Sequence, residues 1–212
     1  MKKILFYGDS ITDCGRNRDD IGCLGKGYPM VIASKLVDKY PMEYSFVNRG
    51  ISGDRIVDLY QRQKKDLINH NPDYVSILIG INDVWHEADS KNGVSAKRFE
   101  DVYTMLIEDI KEALPNVKFI IMEPFYLLGS ATIRDNDVAR YEFFKTETSL
   151  RATAARRVAE KFGLPFIELQ NVLEKAAENT SNEYVLYDGV HPGIYGRTVI
   201  ANEWIKCFEA NK

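Results

Sequence analysis

The sequence predicts a three-layer α/β/α sandwich: a flavodoxin-like, five-stranded parallel sheet of order 2-1-3-4-5 with helices on both faces. Three observations lead there. Five short apolar runs alternate with stretches of helical spacing, a pattern that implies parallel strands joined by right-handed crossovers. The third run, Tyr74 to Ile79, is almost continuously apolar, as a strand covered on both faces should be. Runs one and three both close in polar, glycine-bearing turns, and in this strand order those two ends flank the switch point where ligands bind.

The elements follow in order. Ile4 to Tyr7 form a first strand that stops at Gly8-Asp9-Ser10. A loop dotted with Gly15, Gly22, Gly25 and Gly27 precedes a helix with Pro29 in its first turn, and Pro41 ends that helix. Tyr44 to Val47 form a second strand, closed by Asn48-Arg49-Gly50-Ile51-Ser52-Gly53-Asp54. Asp54 is read as the N-cap of a helix from Arg55 to about His70. After the third strand, Gly80 to Gly93 is read as a turn and polar stretch. Ser95 opens a helix whose face is Phe99, Val102, Tyr103, Leu106 and Ile110. Lys118 to Met122 form strand four. Phe125 to Asn136 is read as a loop flapping over the sheet edge, and a long helix then runs from about Asp137 to Phe162, with Gly163 as its C′ residue. Strand five is read as Pro165 to Leu169. A short helix from Asn171 to Glu178, a loop through Asp188 and His191, and a last helix from Ile194 to about Glu209 complete the chain. No repeat, low-complexity tract or linker divides the 212 residues, and they are read as one domain, 1–212.

Composition narrows the function. The formal net charge is −3, which argues against nucleic acid or an anionic membrane as principal partner, since both call for a basic surface. Cys14, Cys23 and Cys207 are an odd set without C-x-x-C spacing, so neither a disulfide framework nor a structural zinc site is expected. The run Ile4 to Tyr7 is too short for a signal-peptide core, and no run reaches the roughly eighteen apolar residues of a membrane span. A cytoplasmic protein is the expectation.

Four stretches fall at one edge of the predicted sheet: Gly8-Asp9-Ser10, Arg49-Gly50, Gly80-Ile81-Asn82-Asp83 and Asp188-Gly189-Val190-His191. A serine nucleophile needs a base, an orienter for that base and donors for an oxyanion. Histidine is the usual base because it titrates near neutrality. Of His70, His86 and His191, only His191 follows an acid on a glycine-containing turn, three residues after Asp188. The N–H groups of Ser10 and Gly50 and the amide of Asn82 are suitable oxyanion donors at suitable strand ends.

Together these blocks resemble the SGNH hydrolases, or GDSL esterases, a family named for four residues that would here be Ser10, Gly50, Asn82 and His191. Within it the chain looks most like bacterial cytoplasmic acetylxylan esterases and related carbohydrate deacetylases. The stretches that suggest this are Gly8 to Arg16, Asn48 to Gly53 and Ile79 to Trp85. The first block reads Asp-Ser-Ile where the family's older name has Asp-Ser-Leu, an apolar exchange without catalytic consequence. The resemblance implies a serine esterase that removes short acyl groups, O-acetyl groups on oligosaccharides in particular, through a covalent acyl-enzyme. It implies a Ser10–His191–Asp188 triad and needs neither metal nor cofactor. The expected partner is a small-molecule or oligosaccharide ester, and a homo-oligomer is compatible with it.

Other readings stand beside this one. Asp9 and Asp54 are better read as turn and cap residues than as catalysts. Trp85, three residues after Asn82, either lines the pocket against an acyl methyl or a sugar face or fills the core. His86 either contacts substrate or is a partly exposed loop histidine, the latter preferred. Asp13 and Cys14 receive no role. A lysophospholipase or thioesterase of the same family would need a long apolar groove that the loop from Cys14 to Gly27 does not advertise. A metal-dependent phosphohydrolase would gather Asp9, Asp13, Asp83 and Asp188 around Mg²⁺. A flavodoxin-like binding module would need a phosphate cradle, and the G-x-x-x-x-G-K-[ST] pattern is absent.

Overall fold

The structure, a computed structural model, describes residues 1–212. Its sheet is built from β1 (Lys2–Gly8), β2 (Tyr44–Asn48), β3 (Tyr74–Leu78), β4 (Lys118–Met122) and β5 (Phe166–Ile167), all parallel, in the order β2-β1-β3-β4-β5. β1 lies between β2 and β3, with Ile4 opposite both Phe46 and Tyr74. The expected strand order is the observed one.

Side chains alternate across the sheet, so β1 feeds two cores. Ile4 and Phe6 face one side and pack with α2 (Tyr28–Lys39) and α10 (Ile194–Asn211) through Tyr28, Ile32, Leu36, Trp204 and Phe208. Leu5 and Tyr7 face the other, against α3 (Ile56–Asp66), α5 (Ala96–Ala113) and the C-terminal half of α7 (Val138–Phe162). There they meet Leu59, Phe99, Tyr103, Leu106, Ala155 and Val158. Two polar groups at the edges of these cores are paired: Tyr7 donates its hydroxyl to Leu59 O at 2.7 Å, and Trp204 Nε1 donates to Ser76 Oγ at 2.9 Å.

Several element boundaries differ from the expectation. The polar stretch after the third strand is a helix, α4 (Ile81–Ser90), entered through Gly80 at φ 134°. Only Ile81 and Val84 on it are buried apolar residues, so its helical period is too sparse to read. The helix expected from Arg55 to about His70 is α3 followed by a separate 3₁₀ turn at Ile68–His70. Its N-cap is Arg55, whose N–H donates to Asp58 Oδ2 at 2.9 Å. Asp54 does not cap, because Arg62 Nε holds its carboxylate at 2.6 Å.

The segment Phe125–Asn136 is no flap. Phe125, Tyr126 and Leu127 are buried, and Ser130–Ile133 form a short helix, α6. Its backbone is locked to the later turn: Leu127 N–H donates to Gly189 O at 2.8 Å and Ala131 N–H to Asp188 O at 2.9 Å. Two further helices, α8 (Gln170–Glu178) and α9 (Asn182–Val185), lead to that turn. A four-residue helix, α1 (Ser10–Asp13), follows β1 directly. No helix is long and apolar enough to cross a membrane.

Candidate active site

β1 ends at Gly8, and the chain turns at once into α1, so Ser10 stands on the first turn of a helix at the carboxyl edge of the sheet. The turn is made by Asp9, which is fully buried and whose Oδ1 accepts the N–H of Ile11 at 2.9 Å. Gly8 has no room for a side chain: a Cβ there would meet Leu78 O at 2.3 Å. Ser10 Oγ lies 2.9 Å from His191 Nε2, and His191 Nδ1 lies 2.7 Å from Asp188 Oδ2. The other carboxylate oxygen of Asp188 accepts the N–H groups of Val190 at 2.9 Å and His191 at 2.7 Å. Four consecutive residues therefore hold both acid and base, and Gly189 makes this possible with φ 92° and with Leu127 O where a Cβ would point.

The electrostatics suit a base. Burial disfavours the imidazolium of His191, but the hydrogen bond and charge of Asp188, with help from the charge of Asp9, outweigh it and raise the ring's pKa above its ordinary 6.5. Burial likewise opposes the charge on Asp188, yet the bonds from His191 and from two backbone N–H groups hold its carboxyl below the usual range. Asp9 behaves differently. Burial dominates and pushes it up to about 7, and its Oδ2 has no hydrogen-bond partner.

The Ser10–His191 pair opens to two cavities. One, of about 560 Å³, is lined by Ser52, Gly53, Asn82, Trp85, His86 and Asp89 among others. The second, of about 290 Å³, has Cys14, Gly15, Tyr187 and Arg197 in its wall. Asn82 lies in the first turn of α4 and is buried. Its Nδ2 gives one hydrogen to Asp54 O at 3.0 Å, which leaves the second free. The N–H of Ser10 has no protein acceptor.

Gly50 does not take the position expected of it. Its N–H donates to Asn48 Oδ1 at 2.8 Å, and it lines neither cavity. The cause is the Asn48 side chain, whose Nδ2 is pinned by Thr12 O at 2.6 Å and Leu24 O at 2.8 Å, so that its oxygen turns back onto Gly50. Gly50 is a packing glycine: a Cβ would strike Asp13 N at 2.3 Å. Gly53, three residues on, is the glycine in the large cavity. Its φ is +90°, its N–H has no acceptor, and the space beside its Cα is open. Nothing local in Gly50-Ile51-Ser52-Gly53 separates the two glycines; the path of the folded turn does.

Trp85 lies one turn after Asn82 on α4. Its ring meets Phe144 edge-on at 6.1 Å and lies 5.9 Å from the His191 ring, while Nε1 donates to Asp89 Oδ2 at 2.9 Å. Asp89 is in turn gripped by Arg134 and Arg140. His86 shares this cavity wall, and burial first, then the charge of Arg55, lowers its pKa. Tyr187, which the sequence did not single out, stacks on His191 at 5.7 Å with a 16° tilt. Asp13 is buried away from substrate: its Oδ2 accepts Ser52 N–H at 3.1 Å and Arg18 Nη2 at 2.9 Å.

The four carboxylates that a metal-dependent reading would gather go separate ways. Asp9 accepts the N–H of Ile11, Asp13 binds Arg18 and Ser52, Asp83 accepts the N–H of Ile56, and Asp188 binds His191. No group of three or more His, Cys, Asp or Glu side chains has the geometry to hold a metal ion.

Comparison with known proteins agrees with this chemistry. The GDSL-like lipase/acylhydrolase family matches residues 6–198. An acetylxylan esterase of Geobacillus stearothermophilus is 32% identical over an alignment that covers 97% of this chain and 93% of that protein. Its crystal structure superposes with a TM-score of 0.84 at 31% identity, over 97% of this chain and 93% of that one. A GDSL-like lipase from Parabacteroides merdae superposes with a TM-score of 0.91 at 34% identity, over 98% and 95% of the two chains. By family match and near full-length similarity, the chain belongs to the GDSL-like lipase/acylhydrolase family and is a serine-type carboxylic ester hydrolase.

Proposed function

We propose that this enzyme removes short acyl groups, acetyl above all, from hydroxyls of an oligosaccharide or similar small alcohol, and that Ser10, His191 and Asp188 carry the reaction. The observation that carries the reading is the unbroken relay from Ser10 Oγ through His191 to Asp188, at 2.9 and 2.7 Å, on the wall of an open cavity. Ser10 Oγ attacks the acyl carbon as His191 Nε2 takes its proton. The carbonyl oxygen becomes an oxyanion held by the N–H of Ser10, the N–H of Gly53 and the free amide hydrogen of Asn82. His191 then gives its proton to the departing alkoxide, and the acyl group stays on Ser10. Water repeats the sequence, with His191 as base, and releases the carboxylic acid.

Acetyl is favoured by the name of the Geobacillus relative, an acetylxylan esterase, and by Trp85. Its indole is fixed by Phe144 and Asp89 and leaves a blunt wall beside His191. The exposed face of Tyr187 is suited to a sugar ring. We place the whole reaction on one domain, 1–212, in the cytoplasm, where the three free cysteines stay reduced, and a homo-oligomer is compatible with this. The test is acetate release from acetylated oligosaccharides, run beside acyl esters of graded length. Turnover should fall steeply from acetyl to octanoyl, and Trp85→Ala should flatten that fall. A rise with chain length in the wild type would move the assignment to a lysophospholipase or thioesterase.

A further inference from the structure

Arg62 lies on α3, outside both cavities. Its side chain is only 13% exposed. The guanidinium covers the ring of Tyr7 at 4.3 Å and spreads its donors over the end of β1, both ends of the turn after β2 and its own helix. Nη2 donates to Gly8 O at 3.2 Å, at the end of β1 and two residues before Ser10. Nη1 donates to Arg49 O at 2.8 Å, in the turn after β2, and to Asp66 Oδ2 at 3.3 Å. Nε donates to Asp54 Oδ2 at 2.6 Å, and Asp54 both follows Gly53 and holds Asn82 through its carbonyl at 3.0 Å. The same Gly8 oxygen also accepts the N–H of Ile51 at 3.0 Å, which ties the first two turns directly.

We propose that Arg62 is a positioning residue for the oxyanion hole: one planar guanidinium sets the mutual placement of Ser10, Gly53 and Asn82, three donors that come from three different strand ends. The inference rests on the assignment of those three groups under Proposed function. The arrangement calls for arginine because its donors leave in fixed, coplanar directions, whereas an ammonium is a single point that cannot reach Gly8, Arg49 and Asp54 at once. An oxyanion hole works by being in place before charge develops, and a donor displaced by about an ångström loses on the order of 10²-fold in rate. Docking α3 onto the sheet is a second consequence of the same bonds. It would affect stability alone if the bonds did no more than that.

The test is steady-state hydrolysis of an aryl acetate by the wild type, Arg62→Gln, Arg62→Lys, Asn82→Ala and the double variant Arg62→Gln/Asn82→Ala, with melting temperatures alongside. Arg62→Gln should lower kcat by roughly 10–100-fold and leave KM within about threefold. Arg62→Lys should recover most of the melting temperature but little of the rate. In the Asn82→Ala background the further loss from Arg62→Gln should shrink several-fold, because one of the donors that Arg62 positions is already gone. An equal loss in both backgrounds, an unchanged kcat, or a loss confined to KM would overturn the inference. If Arg62→Gln does not fold, the same cycle is run with Arg62→Lys. If Asn82→Ala itself leaves kcat unchanged, the oxyanion assignment is what fails, and the inference falls with it.

Discussion

The two halves of the active site are built on opposite plans. The proposed base and its orienter lie within four consecutive residues, Asp188 to His191. Apart from the His191–Ser10 contact, their side-chain hydrogen bonds close within the turn, and the hydrogen bonds that anchor the turn to Leu127 and Ala131 are backbone to backbone. The nucleophile and the proposed oxyanion donors come from the ends of β1, β2 and β3. They are tied by side chains that reach across the sheet edge: Asn48 to Thr12 and Leu24, Asp13 to Ser52, Arg62 to Gly8 and Arg49. A backbone tie survives substitution of either residue. A side-chain tie does not. The first half should therefore be sensitive only to its own residues, and the second to residues that never meet substrate.

Three substitutions sharpen or break that contrast. Ser10→Ala removes the group the two halves share and should cost about 10⁶ in kcat with the fold intact, read by aryl acetate hydrolysis and circular dichroism. Normal activity in that variant would end the mechanism. Asp188→Asn should cost on the order of 10⁴, because the ring loses its correct tautomer and its stabilising charge.

The pH profile gives a second reading of Asp188→Asn. The base must be neutral to accept the Ser10 proton, so kcat/KM falls as pH drops through the His191 pKa. That pKa is raised, which puts the wild-type midpoint above 6.5. Without the hydrogen bond and charge of Asp188, burial of His191 is opposed by Asp9 alone, and the midpoint should move to lower pH. An upward shift or none would show that Asp188 does not set the base.

The smallest effect belongs to Asn48→Ala, which touches neither substrate nor triad. It strands the buried N–H of Gly50 and frees the Thr12 and Leu24 carbonyls, which should cost about 1–3 kcal/mol of stability in a denaturant melt. The turn that bears Gly53 should loosen, with kcat lower by roughly 10-fold. Equal sensitivity of the Asp188–His191 turn to a residue as remote as this one would erase the difference between the two halves.

The same contrast explains what could be read before folding. Strand order was legible because apolar runs alternate with stretches of helical spacing, and the candidate nucleophile, base and orienter were legible from an abrupt polar turn after Tyr7, the three residues from Asp188 to His191 and the family resemblance that joins those blocks. The helix α4 was not legible, since its solvent-facing residues hide the period and only Ile81 and Val84 turn inward. The segment at Phe125 looked like a loop because its ordering partner, the Asp188–Gly189 backbone, lies about sixty residues further along the chain.

Sequence alone thus determined the parallel α/β architecture, through its alternation of apolar runs and helical spacing, and singled out, through local spacing together with the resemblance to the GDSL esterases, the serine, histidine and aspartate that line up at 2.9 and 2.7 Å. Only tertiary structure decided which glycine offers a free N–H to the site. Gly50 and Gly53 are equivalent as letters, but Asn48, itself held by carbonyls of Thr12 and Leu24 from a different turn, takes the hydrogen of the first and leaves that of the second. An unsatisfied donor is a property of everything around it, and residues far apart in the chain become neighbours only when the fold closes.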